Sequence, residues 1–149
     1  MTTRVLFLCP HGAGKSILAA TYFRSAAARI GLDADASAAG TEPDDAVMPN
    51  VRAALTAQGF DVPTVPPRLV TPDELRTADV VVNIGCDPAT LVSDGVCDRA
   101  ITSWEVPLLS IDFDGAVREI HRCAELLATD LKELTREGAA REWTPHGTA

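Results

Sequence analysis

Cys9 and Lys15 bracket the segment Pro10-His11-Gly12-Ala13-Gly14, and Ser16 follows directly. A cysteine is a nucleophile as its thiolate. Lysine brings a full positive charge, and two glycines permit φ > 0 and close approach of backbone to a ligand. Before the cysteine lies the apolar run Arg4-Val5-Leu6-Phe7-Leu8. After the serine, Ile17, Ala20, Phe23, Ala27 and Ile30 recur at helical spacing. The order is a strand, a tight loop and a helix N-terminus. Such a loop aims backbone N–H groups at one spot, and the helix dipole adds positive potential there. Residues 10–15 then form an anion cradle: Pro10, His11, Gly12, Ala13, Gly14 and Lys15. A cysteine at the mouth of that cradle is favoured as the thiolate, so the stretch reads as an oxyanion bound beside a nucleophilic sulfur. A buried cysteine at an ordinary strand–helix turn would satisfy packing, but packing does not demand Gly-x-Gly-Lys-Ser at a helix start.

Two resemblances fit this loop. Read through Gly14-Lys15-Ser16, it resembles a nucleotide-binding P-loop whose first glycine has become Cys9. Read as Cys-x5-Lys-Ser, it resembles the phosphate loop of low-molecular-weight protein tyrosine phosphatases and the related arsenate reductases, whose pattern is Cys-x5-Arg-Ser after the first strand. The loop alone leaves both open.

Composition narrows the partners. A chain of 149 residues with 46% hydrophobic and 23% charged residues is expected to be one domain with a sizeable core. Its formal charge of −8 argues against nucleic acid or an anionic membrane surface. Any anion site must therefore be a local positive pocket. No apolar run reaches the ~18 residues of a membrane helix, and the chain enters a strand without a leader pattern. Cys9, Cys86, Cys97 and Cys123 include no Cys-x-x-Cys pair. That fits a reducing cytoplasm better than a disulfide scaffold or a metal site, and no metal or cofactor is expected.

The elements that must position the loop follow in order. Leu32–Ala39 reads as a second strand, and Asp44 and Asp45 fall in a loop. A helix is expected from Pro49 to Gln58, ended by Gly59. Pro63, Pro66 and Pro67 mark an extended connection. Thr71-Pro72-Asp73-Glu74 is a helix start with cap, first-turn proline and capping-box glutamate. Asp79–Cys86 is apolar enough for a strand covered on both faces, and Ala100–Val106 holds a fourth. Val117, Ile120, Ala124, Leu127, Leu131 and Leu134 mark the last helix. Strands alternating with helices predict a three-layer α/β/α sandwich around a four-stranded parallel sheet. Residues 1–138 form the expected domain and 139–149 a loose tail, from which Trp143 could dock.

The downstream segments favour one resemblance. Ser37-Ala38-Ala39-Gly40-Thr41-Glu42-Pro43, the helix ending Ala57-Gln58-Gly59-Phe60, Leu75–Val81 leading to Ile84-Gly85-Cys86, and Trp104-Glu105-Val106-Pro107 before Val117–Ile120 are similar, in order and spacing, to the arsenate reductase and low-molecular-weight phosphatase family. The P-loop reading instead needs Leu108-Leu109-Ser110-Ile111-Asp112 as a strand ending in a magnesium ligand.

The family resemblance implies attack by Cys9 on phosphorus or arsenic, oxygens held by the backbone of residues 10–15, and Ser16 hydrogen-bonded to the sulfur. It implies a grip on the transition state from position 15 and a late-loop aspartate as acid. Two parts differ here. Lysine at 15 replaces arginine, whose planar fork binds two oxygens at once. Leu108-Leu109 stands where the acidic Asp-Pro belongs. Asp112 is the candidate substitute acid, although Asp112 and Asp114 also suit capping of the helix before Gly115. His11 is a further stand-in. For arsenate reduction, Cys86 matches the family's redox cysteine, Cys97 is displaced, and an external thiol reductant is the alternative to a Cys9–Cys86–Cys97 relay. The expected function is a weak or specialised phosphatase acting on a phosphorylated substrate. The alternatives are an arsenate reductase and an impaired module that only binds phosphate or arsenate.

Overall fold

The computed structural model describes residues 2–62, 64–87, 89 and 101–136. Cys97, Pro63, Gly95, Trp143 and the expected 139–149 tail lie outside them. The chain runs β1 (Thr3–Cys9), α1 (Lys15–Ile30), β2 (Ala34–Gly40), α2 (Pro49–Ala57), α3 (Pro72–Thr77), β3 (Val80–Asn83), β4 (Thr102–Ser103) and α4 (Phe113–Arg136). All pairings are parallel, in the order β2-β1-β3-β4. β1 lies inside the sheet, and Val5 through Cys9 are all nearly inaccessible to solvent, as its unbroken apolar sequence demands.

Alternation along β1 divides the core. Val5, Phe7 and Cys9 face α1, α2 and α4, whereas Leu6 and Leu8 face α3 through Leu75 and Ala78. The result is three layers. Phe7 anchors the larger one, with its ring 5.7 Å from that of Phe23 and 5.5 Å from that of Trp104. α4 contributes Ala116, Ile120, Ala124, Leu127, Ala128 and Leu131 along one buried stripe.

The register aligns Cys9 with Gly40 and Leu8 with Asn83. The C-terminal ends of β1, β2 and β3 therefore meet at one edge. The chain passes from β1 outward to β2 and then returns to the other side of β1 for β3, which opens a crevice at that edge. Ligand sites of open parallel sheets form at such a reversal.

Several boundaries shift from those read in the sequence. β2 begins at Ala34 rather than Leu32. β3 ends at Asn83 rather than Cys86, because Gly85 turns with φ +99° and the Asn83 side chain closes the turn. β4 contracts to two residues. α4 starts at Phe113, four residues earlier than its apolar pattern, because Asp112 caps it.

Phe7→Ala should lower unfolding stability by about 3–5 kcal/mol through the cavity it leaves. Leu126→Ala, at a side chain 48% exposed, should cost about 0.5 kcal/mol or less. Urea titration of both variants checks the contrast.

Candidate active site

Cys9 ends β1, and its sulfur lies 3.1 Å from Ser16 Oγ and 3.4 Å from the Ser16 backbone nitrogen. The Ser16 amide donates to the sulfur, and its hydroxyl donates too when the sulfur is ionised. Cys9 is 3% exposed and Ser16 fully buried. The sulfur thus sits on the floor of the loop rather than at its mouth, against the first turn of α1. The N-cap of that helix is Gly14, which has no side chain to satisfy the first-turn amides. They are left to the loop interior or a ligand.

The loop is held from outside. Pro10, His11 and Ala13 offer their carbonyls to the N–H groups of Glu42 (2.7 Å), Asp44 (3.0 Å) and Met48 (2.9 Å). In a planar trans peptide the N–H points opposite to the carbonyl. The N–H groups of His11, Gly12 and Gly14 are therefore turned toward the inside. Gly12 sits at φ +60°, where a side chain is disfavoured. A Cβ on Gly40 would fall 2.7 Å from Gly12 N and 2.9 Å from Pro10 O, so β2 and the loop touch backbone to backbone.

Lys15 extends its ammonium across the crevice to the turn after β3. Its Nζ would lie 3.1 Å from a Cβ on Gly85. Cys86, on the same turn, is buried, and its Sγ is 3.8 Å from Thr41 Oγ1. Burial pushes the Cys86 thiol up. The Thr41 contact opposes this, a negative Cys9 adds to it and Lys15 counters it. Asn83 fixes the turn by donating Nδ2–H to Cys86 O and accepting the Cys86 N–H at Oδ1, both at 2.8 Å. The structure thus gathers Cys9, Lys15, Ser16 and Cys86. Sequence reasoning missed Asn83 and Thr41, although an asparagine two residues before a turn glycine is a legible turn signal.

His11 is the exposed residue of the loop, and its Nδ1 lies 3.1 Å from Asp44 Oδ1. Asp112 does not join the cluster. It is exposed and its Oδ1 accepts the Gly115 N–H at 3.0 Å, which is a capping role. The same placement removes the strand-end magnesium ligand that a P-loop would need, because 109–111 form a turn. Leu109 plugs inward, with Cδ1 2.6 Å from where a Gly14 Cβ would be, and Leu108 stays 53% exposed. Cys123 lies apart on α4, where burial first, and then Glu119, push its thiol up to about 11. Among the described residues, no group of three or more His, Cys, Asp or Glu could hold a metal ion, and no helix is long and apolar enough to cross a membrane.

Fold and loop together define a protein of the class that contains cysteine-based phosphatases and arsenate reductases. The sequence profile of the family described as low molecular weight phosphotyrosine protein phosphatase matches residues 4–95. A Halobacterium salinarum protein carrying the provisional name of arsenate reductase is 31% identical over 136 residues, spanning 87% of this chain and 91% of its own length. The chain belongs to the low-molecular-weight phosphotyrosine protein phosphatase family. Its fold matches that of a YwlE mutant from Bacillus subtilis with a TM-score of 0.76 at 20% identity, covering 88% of this chain and 99% of that one. The thioredoxin-dependent arsenate reductase of Corynebacterium glutamicum matches with a TM-score of 0.65 at 24% identity, over 91% and 63% of the two chains.

Gly40→Ala should push the loop away from β2, at a cost of about 1–3 kcal/mol. Thermal unfolding would show the loss. Isothermal titration should show weakened phosphate binding. At pH 8 and without denaturant, iodoacetamide should leave Cys123 largely unmodified, because its thiol ionises near 11. Its alkylation rate should climb about tenfold per pH unit up to that range. Peptide mapping by mass spectrometry across a pH series checks that rate.

Proposed function

We propose that this protein is a cysteine-dependent phosphatase with a Cys-x5-Lys-Ser loop, suited to phosphorylated substrates whose leaving group departs readily. The observation that carries the reading is the Cys9 sulfur held by the Ser16 amide and hydroxyl beneath a loop whose carbonyls are tied outward. A tetrahedral dianion seated there would present its phosphorus to the sulfur. Cys9 forms the S–P bond as the P–O bond to the leaving group breaks. Water then attacks the phosphocysteine, and phosphate leaves with the thiolate restored. Lys15 attracts the anion but offers no bidentate fork for the equatorial oxygens. Loss of one preorganised donor typically costs ~3 kcal/mol, about a hundredfold in rate. The three described cysteines are free thiols, in keeping with a reducing cytoplasm.

A second reading is favoured by a specific observation, the buried Cys86 on the turn over which the Lys15 ammonium lies. It is supported by the Halobacterium relative. In arsenate reduction Cys9 would add to arsenate with loss of water. A second thiol, from Cys86 or from an external donor, would attack the Cys9 sulfur. The S–As bonding pair then stays on arsenic, which leaves as arsenite, and a disulfide remains to be reduced.

With the wild-type protein, 4-nitrophenyl phosphate should be hydrolysed well above phosphotyrosine peptides, and Cys9→Ser should abolish both activities. Lys15→Arg should raise kcat/KM on the aryl ester about tenfold or more. Arsenite production with thioredoxin or small thiols, lost in Cys86→Ser, would favour the second reading. Phosphate affinity without turnover on any substrate would instead leave a binding module.

A further inference from the structure

The late loop carries leucine where an acid is needed, and the nearest aspartate after it, Asp112, is committed to capping α4. A leaving oxygen of ordinary basicity still has to be protonated as it departs. The described part of the loop over the sulfur offers one side chain suited to that work.

His11 lies two residues after Cys9. Gly12, Ala13 and Gly14 are buried and Pro10 is half-buried, so the imidazole forms the solvent-facing lip of the cradle. Two contacts fasten it to the β2–α2 loop. The Asp44 N–H donates to the His11 carbonyl at 3.0 Å, and Asp44 Oδ1 sits 3.1 Å from His11 Nδ1. Their side chains remain 60% and 50% exposed. With Nδ1–H given to the carboxylate, Nε2 is the nitrogen left for solvent or substrate. A carboxylate on the far nitrogen sets the tautomer and orients the ring. A pairing that served only to close the loop would not need the imidazole, because the backbone bond between the same two residues already does so.

The geometry points to His11, oriented by Asp44, as the general acid of the phosphatase proposed above, on which this inference rests. In the first step the Cys9–phosphorus bond forms and the phosphorus–oxygen bond breaks, while His11 Nε2–H passes its proton to the leaving oxygen. The product leaves as a neutral alcohol or phenol. In the second step the now neutral imidazole takes a proton from the attacking water. The oxygen–phosphorus bond forms, the sulfur–phosphorus bond breaks, and phosphate departs with the thiolate and the protonated His11 regenerated. His11 is the catalytic residue in this scheme and Asp44 a positioning residue. The consequence for specificity is an acid mounted on the nucleophile loop itself, at its solvent-facing residue.

The test is a leaving-group series of aryl phosphates, from 2,4-dinitrophenyl to phenyl phosphate, measured on the wild type, His11→Asn, His11→Ala, Asp44→Asn and Cys9→Ser. Acid catalysis of this kind is typically worth about 10²–10⁴. The expected result is a loss in kcat for His11→Asn that deepens along the series by about a hundredfold or more from the most activated ester to phenyl phosphate. Asp44→Asn should show the same trend more weakly. Added imidazole should restore His11→Ala on the phenyl ester. A loss of equal size on every ester, with no rescue, would overturn the acid role while leaving the phosphatase reading intact. No Cys9-dependent hydrolysis of any ester by the wild type would overturn that reading, and the acid role with it.

Discussion

Three hydrogen bonds decide what the loop after β1 can do. The carbonyls of Pro10, His11 and Ala13 are occupied by the amides of Glu42, Asp44 and Met48, which belong to the connection between β2 and α2. Because each peptide is planar, engaging its oxygen on the outside commits the attached N–H to the inside. Left to itself, a segment with two glycines would sample many conformations, and ordering it costs about 1–2 kcal/mol per residue. Here that cost is met by neighbouring structure before any anion arrives. The amide ring is preorganised, and a site of that kind gains most when charge develops in its centre.

The same constraint explains the close packing beneath and beside the loop. β2 must present a residue without a side chain where it runs alongside Gly12, and Gly40 does so. Gly14 leaves the space that Leu109 and Met48 fill. The inward Leu109 closes the base of the loop with apolar bulk. Lys15 extends the pattern. Its ammonium lies over Gly85, within electrostatic reach of Cys86, and joins the nucleophile loop to the turn after β3. The turn itself is rigid because Asn83 is buried with both ends of its amide bonded.

Cys9, Lys15 and Ser16 were legible in the sequence because their chemistry is local. Strand, glycines and helix start lie within one stretch, and helix-terminus physics acts over a few residues. The alternating order of apolar runs and amphipathic helices likewise foretold a parallel α/β sheet. Element ends were less legible. The apolar run Asp79–Cys86 carries no mark of where the ladder stops, since the stop depends on a side-chain amide folding back onto Cys86. Asp112 was ambiguous for a related reason. A carboxylate before a helix can cap or catalyse, and only the position of the Gly115 amide distinguishes the two.

The chain's own chemistry determined that a sulfur, a cation and a set of unsatisfied amides would meet at one helix N-terminus. It determined too that no arginine fork would be present at position 15. The tertiary structure decided the depth of the sulfur, the pairing of His11 with Asp44, and the approach of Cys86 and Thr41. Each of these joins residues more than thirty positions apart in the chain, or depends on a strand register that brings Cys9 level with Gly40. Local spacing carries no information about such pairs, because it is the burial of two faces of one sheet that brings them together.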